Sequence, residues 1–418
     1  MNALLPASAG ADAARLVAAR TVRGLSDGFV SVLLAAYLRD AGFSPVEISA
    51  VITGTLLGSA ALTLGLGLFG YEISRRTVLF GAVGLMAGTG IGFATVTAFW
   101  PLLAIAVVGT LNPSNGDVSI FLPTEQALLS ATVEARDRTA LFARYNLGGL
   151  FAAAVGSLCA GLPVAVARAA GWDLVQAERL AFLLYAATAL VLFVVYAGLR
   201  VDTAVEGLRQ GAPLRKAKRT VYRLTALFSL DAFGGGFIVQ SLLALWLFER
   251  FDMPVAQVGA IFFGAGLLAA TSQLASPLLA RRIGLIRTMV YTHLPSNGLL
   301  ILAAVMPNAP LAVACLLLRM VLSQMDVPAR QSYVMAVVPP EERAAAASVT
   351  NVPRSLAAAF APLLAGAMLE ATSFGWPLIC AGVIKSVYDL LLLWQFRAHP
   401  APEESPSGPS GPGARASA

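Results

Sequence analysis

Charged residues are scarce in this chain: they make up 12% of its 418 residues. An ordinary soluble domain carries about 25%, so a conventional water-facing surface is excluded. Histidine is rarer still. Only His293 and His399 occur, and neither has a second metal-ligating side chain at helical spacing. A metalloenzyme or histidine-dependent hydrolase therefore has no residues to use, and neither an enzyme nor a metal or cofactor is expected. Cys159, Cys315 and Cys380 are the only cysteines and lie far apart inside apolar runs. They form neither a disulfide framework nor a zinc spacing. No Walker A motif is present, which removes direct ATP drive. A GxGxxG does occur at Gly65, Gly67 and Gly70, but it ends an apolar run with no strand before it, as a dinucleotide fingerprint would require. Residues 1–14 lack the basic segment of a cleavable signal peptide. The first apolar run, which keeps Arg20, Arg23 and Asp27, reads as an uncleaved span.

What the chain has in quantity is apolar sequence, 57% of its residues, with a mean hydropathy of +0.75. Crossing a bilayer takes about 20 mostly apolar residues per helix. Such segments fall near 17–38, 46–69, 77–99, 101–130, 139–166 and 179–199, then near 222–248, 255–280, 285–306, 309–337, 343–370 and 376–397. They are too long and too unalternating for barrel strands, which leaves helices. The expected organisation is a six-helix bundle over 1–199, a linker over 200–220, a second six-helix bundle over 221–398 and a disordered Pro/Ser/Gly-rich tail over 399–418.

The net charge of +6 does not point to nucleic acid, because the bases sit between apolar segments rather than among aromatics on a soluble domain. Arg75, Arg76, Arg136, Arg138, Arg215, Lys216, Lys218, Arg219, Arg281, Arg282, Arg287, Arg343 and Arg397 fall on the side of the termini. Arg39, Arg168, Arg179 and Arg250 fall on the other. The positive-inside rule then places both termini in the cytoplasm. Arginine outnumbers lysine 26 to 3 amid abundant alanine, which suggests a GC-rich bacterial genome and hence the inner membrane.

The two halves carry an ungapped echo. Shifting the chain by 205 positions lays Gln331 on Gln126 and brings 327–366 onto 122–161. Thirteen of forty positions are identical, six of them alanine; the others include Pro328 on Pro123, Arg343 on Arg138 and Asn351 on Asn146. Rare residue types in an apolar chain do not coincide in this way by composition, so the halves read as a duplication. Arg330 faces Glu125 in the same register.

This pattern resembles the major facilitator superfamily of secondary transporters. That family carries a Gly-x-x-x-Asp-Arg-x-Gly-Arg-Arg signature between spans two and three, and the corresponding window here, 67–76, reads GLFGYEISRR. Gly67, Arg75 and Arg76 match. Tyr71 replaces the aspartate and Glu72 the first arginine, so the acid has moved one place. The second-half counterpart, PLLARRIG at 277–284, keeps Arg282 and Gly284. The turns VEARDR and VPPEER, with Arg138 and Arg343, match the loops after spans four and ten. The fifth span keeps Gly148, Gly149, Gly156 and Gly161 and matches the family's antiporter signature in part. The resemblance implies an all-α integral membrane protein of twelve transmembrane helices in two pseudo-symmetric bundles. It further implies a cytoplasmic gate at Gly67, Glu72, Arg75, Arg76, Arg138 and Arg343, and a central cavity lined by spans one, four, seven and ten.

Ionisable groups inside a membrane helix are costly, about 2.5–3.5 kcal/mol each on insertion scales, and mark functional sites. Asp27, Asp117, Glu125, Asp231 and Asp326 all fall on the four cavity spans. An unpaired carboxyl at low dielectric exchanges protons near neutral pH, so Asp27, Asp117, Glu125 and Asp231 are the proton-coupling candidates. Arg23–Asp27, Asp326–Arg330 and Lys385–Asp389 are each four residues apart and can pair along one helix, the last on a peripheral span. Glu125 and Arg330 could instead bridge the halves. Breaks in spans four (NPSNGD, 112–117) and seven (Gly234, Gly235, Gly236) sit beside acids, as discontinuous helices do at transporter sites. Asn112, Asn115, Arg319, Asp326 and Arg330 are the substrate-cavity candidates. The function expected is proton-coupled export of a small organic solute by alternating access, in the manner of the drug/proton antiporter branch, by a monomer in the bilayer. The alternatives are uptake of an organic anion held by Arg319 and Arg330, or a non-transporting sensor.

Overall fold

In lipid the backbone must satisfy its own hydrogen bonds, and in the computed structural model every regular element is a helix among the residues it describes: 6, 8–69, 73–114, 120–134, 137–200, 217–339 and 342–396. The first half holds α1 (Ala11–Asp40), α2 (Pro45–Phe69), α3 (Arg75–Thr95), α4 (Phe99–Val108), α5 (Phe121–Ser130), α6 (Arg138–Cys159), α7 (Leu162–Ala170) and α8 (Leu174–Ala197). The second holds α9 (Lys218–Gly236), α10 (Gln240–Phe251), α11 (Val255–Ile283), α12 (Leu285–Val305), α13 (Ala309–Ser323), α14 (Asp326–Val337), α15 (Arg343–Ala371) and α16 (Trp376–Phe396). Four spans are split, into α4/α5, α6/α7, α9/α10 and α13/α14, so these helices make twelve crossings.

Among the described residues, ten helical stretches are long and apolar enough to cross a membrane. Span four falls short because its helix α4 ends at Val108 and 109–114 are not helical. Span nine, α12, has the length but carries Thr292, His293, Ser296 and Asn297 in its middle. All four are buried, so the polarity that weakens its membrane signature points into the protein. Of the two breaks expected from sequence, the one in span four is seen over 109–114; in span seven Gly234, Gly235 and Gly236 form the last turn of α9 and the gap follows at 237–239. The break between α13 and α14 at Gln324 and Met325 is a further one, four residues before Pro328, whose ring cannot bond the Gln324 carbonyl.

Packing uses small residues, since lipid offers helices no hydrophobic reason to associate. In α1, a Cβ on Gly24, Gly28 or Gly156 of α6 would run into the backbone of Gly149, Ala153 or Leu25 respectively, so these two helices touch main chain to main chain. Large apolar side chains such as Trp100, Leu190, Val194, Leu278 and Trp394 are exposed, where acyl chains would cover them. The halves meet where α2 packs on α15, α6 on α11 and α1 on α10.

Among the described residues, hydrogen bonds joining the halves lie from the middle of the bundle toward the ends remote from the termini. Ser241 Oγ donates to the carbonyls of Ser31 (2.6 Å) and Pro113 (3.1 Å). Gln240 Nε2 donates to Ser157 Oγ at 3.0 Å, and Val46 N–H to Glu370 at 3.1 Å. The Arg39 guanidinium stacks 4.5 Å from the Phe248 ring at the same end. On the termini side, α5 packs on α1, α3 and α6, and α14 on α11 and α12, each within its own half.

Candidate functional site

A cavity of about 410 Å³ lies at the breaks of spans seven and ten, bordered by Ser114 and Leu150 from the first half and otherwise by the second. Its charged and titratable wall comes from α9 (Asp231), α12 (His293), α13 (Arg319), α14 (Asp326, Arg330), α15 (Arg354) and α16 (Lys385). The chemistry is therefore one-sided.

Asp231 is its centre. Lys385 Nζ reaches one carboxylate oxygen at 2.5 Å and Arg330 Nη1 the other at 3.1 Å. Arg330 Nη1 is also 3.4 Å from Asp326, one turn back on α14, so the expected Asp326–Arg330 pair forms as part of a larger cluster. Two acids and two bases balance there. Two further cations border the cavity, Arg354 of α15 and Arg319 of α13, and Arg319 is the one without a carboxylate among the described residues. It is 9% exposed, its Nε has no hydrogen-bond partner, and among the described residues its guanidinium makes only a 3.6 Å contact with Met320 Sδ. A buried cation without a carboxylate lines the cavity.

The first half seals its charges away. Arg23 on α1 meets Glu125 on α5 in a bidentate pair, with both nitrogens 2.7 Å from the two oxygens. Tyr145 and Tyr196 donate their hydroxyls to the same carboxylate. The guanidinium lies 4.8 Å from the Phe121 ring. Arg23 is 2% exposed and Glu125 0%. The pairing of Arg23 with Asp27 along α1 is not formed, because Glu125 offers the planar guanidinium two oxygens at once. Asp27 instead accepts a 3.3 Å bond from Asn112 Nδ2 at the span-four break. The bridge from Glu125 to Arg330 is not formed either, since each is engaged within its own half.

Asn115, Asp117 and Glu72 lie outside the described residues. Gly67 sits in the last turn of α2, Arg75 opens α3 and Arg343 opens α15. Arg76 Nη2 donates to the Ala197 carbonyl at 3.2 Å, and Arg138 Nε to the Ser130 carbonyl at 3.1 Å. Both contacts stay within the first half.

Lys385 is the largest displacement from expectation: it turns inward to Asp231 rather than pairing with Asp389 at the periphery. Asp389, 0% exposed, is held by His293 Nδ1, 3.0 Å from each of its oxygens, and by Asn297 Nδ2 at 2.8 Å. The signal for this was present in sequence. Residues 292, 293, 296 and 297 are polar at the spacing of one helical face. Tyr145 and Tyr196 had no such signal.

A family model described as Major Facilitator Superfamily matches residues 16–323 and 225–417. The chain is similar to the uncharacterized membrane protein YJR124C of Saccharomyces cerevisiae, 25% identical over 411 residues, covering 90% of this chain and 92% of that one. It is also similar to the Multidrug efflux protein YfmO of Bacillus subtilis, 22% identical over 369 residues, covering 88% of each. Its fold is shared with a bacterial homologue of the human lysosomal transporter Spinster in an inward-facing, occupied conformation, with TM-score 0.73, 14% identity, and 94% and 98% of the two chains covered. It is shared also with the inward-open xylose transporter XylE from E. coli, with TM-score 0.70, 14% identity, and 92% and 96% covered.

Proposed function

The chain belongs to the Major Facilitator Superfamily, and from that premise we propose that it moves a small organic anion together with protons, the anion seated at Arg319. The observation that carries this reading is the unpaired, buried guanidinium on the cavity wall. A guanidinium binds a carboxylate or phosphate through two parallel hydrogen bonds, and an incoming anion removes the cost of leaving that charge unmatched.

The sign of the site also bears on coupling. Proton uptake adds positive charge to a cavity that already carries an excess cation. It therefore strengthens anion binding, and a proton and an anion that favour each other's binding travel together. Co-transport driven by an inward proton gradient is uptake. Uptake, rather than export, is the direction this charge pattern favours. The joined ends are those remote from the termini, so the cavity opens toward the termini side, taken as the cytoplasm of a bacterial inner membrane. In the opposite state that side closes, and Arg75, Arg76, Arg138 and Arg343 belong to its gate. Asp27, whose partner Asn112 is neutral, is the first-half proton candidate; Glu125 and Asp231 are clamped by bases.

Export remains the second reading, favoured by similarity to a multidrug efflux protein. Purified chain in proteoliposomes, given an acidic exterior and a panel of benzoate, succinate, a sugar phosphate, a neutral sugar and a quaternary ammonium salt, separates the cases. Gradient-driven accumulation of an anion, with matching proton entry, is the expected result. Movement of cations or neutral solutes against the proton flux would establish export instead, and no flux with any probe would favour the sensor.

A further inference from the structure

One buried cluster has no part in the transport reading so far: His293, Asp389 and Asn297, between α12 and α16. We infer that the His293–Asp389 dyad is a proton-binding site that loads from the cavity and is read electrostatically by the anion subsite at Arg319. The inference rests on the transport reading for its purpose, but not for its chemistry.

The geometry is specific. His293 borders the cavity while Asp389 behind it is fully buried. Nδ1 lies 3.0 Å from both carboxylate oxygens, so with an ionised Asp389 this nitrogen carries the hydrogen and donates it. Nε2 is then the ring atom left to accept a proton. Loading forms an Nε2–H bond and breaks an O–H bond of a protonated water in the cavity, and no other group changes oxidation or bonding. The product is an imidazolium against a carboxylate, a net neutral pair that a low-dielectric site tolerates better than either ion alone. Asn297 Nδ2, 2.8 Å from Asp389, holds the carboxylate in place throughout.

Charged groups on the elements around the dyad sense its state, Arg354 of α15 on the cavity wall among them. From α16, Lys385 stands one turn before Asp389, and the Tyr388 ring meets the imidazole edge to face at 6.1 Å. From α9 comes Asp231, which shares Lys385 with the cavity. From α14 come Asp326 and Arg330, and from α13 Arg319. A proton on His293 adds positive charge beside Lys385 and Arg330, loosening their shared hold on Asp231 and strengthening the attraction for an anion at Arg319.

The chain has only two histidines, which makes the test direct. Full-length protein labelled with 15N-histidine is reconstituted in nanodiscs, and the tail signal is assigned with His399→Gln. The remaining imidazole is expected to pass from neutral to imidazolium within the pH range over which the protein stays folded. Asp389→Asn is expected to lower its midpoint by about one pH unit, a tenfold loss of proton affinity. Arg319→Gln, which removes a cation from the cavity, is expected to raise it. A structural dyad would give an imidazole that never protonates, or whose midpoint moves with neither variant, and either result overturns the site. The two variants touch different helices, so one that fails to fold leaves the other to decide. No ligand is involved. A titrating dyad with no anion flux in proteoliposomes would retain this site and reject the transport reading; anion flux with a silent imidazole would do the reverse.

Discussion

Glu125 and Arg330 occupy the same position in the two repeats, 205 residues apart, and each closes an ion pair with the first span of its own half. Glu125 takes Arg23 of α1; Arg330 takes Asp231 of α9. The same link between first and fourth spans is thus built twice with its polarity reversed. The first copy is sealed by two tyrosines, while the second opens on the cavity and shares its acid with Lys385. One copy of the link is buried, with Arg23 2% and Glu125 0% exposed, and the other borders the cavity.

The sealed pair should behave as a buried ion pair behaves. Removing one partner leaves an uncompensated charge, so Arg23→Met or Glu125→Leu alone should cost about 3–5 kcal/mol, whereas the double variant should recover most of it. Thermal unfolding in detergent, read as a double-mutant cycle, measures this. Additive losses would mean that the two groups do not act as a unit.

Arg319→Gln should leave the melting temperature near that of the parent and weaken binding of any anion that stabilises the parent by tenfold or more. A bidentate charge-assisted contact is worth roughly 1.5–3 kcal/mol. Thermal-shift titration with the anions of the proteoliposome panel reports it. Equal stabilisation of both proteins would place the anion elsewhere.

Lys385 should matter as a cavity residue although its span is peripheral. Lys385→Gln should impair transport, and Asp231→Asn in the same chain should restore folding stability because the acid then needs one base fewer. The check is the coupling between the two substitutions, expected at about 0.5–3 kcal/mol for groups in contact.

Gly161 and Ala256 meet across the halves so closely that a Cβ built on Gly161 would fall 2.8 Å from that of Ala256 and 2.9 Å from its Cα. A side chain at 161 therefore has no room while these ends are joined. Gly161→Leu should disfavour the joined state and slow flux in proteoliposomes, whereas Ala256→Gly should be tolerated. Flux unchanged by Gly161→Leu would show that these ends need not join during transport.

Much of this was readable from the chain alone. The breaks in spans four and seven lie beside Pro113 and the run Gly234, Gly235 and Gly236, residues whose backbone preferences are local. The break at Gln324 and Met325 follows the same rule, since Pro328 cannot bond the Gln324 carbonyl, although the sequence reading did not use it. Spacing also misled. Arg23 and Asp27, or Lys385 and Asp389, stand four apart and face one way, yet in each case a neighbouring helix supplied a better partner. Glu125 offered Arg23 two oxygens, and Asp231 drew Lys385 into the cluster with Arg330.

By itself the sequence determined the solvent, the number of spans and the duplication, since hydropathy is a sum over local residues and a repeat survives as register. Only the tertiary structure decided which charges meet. A long side chain in a membrane bundle has several opposite charges within reach, and the helix crossings select among them. Arg319 could be recognised as a buried cation without a carboxylate only once Arg23, Arg330 and Lys385 had found their partners.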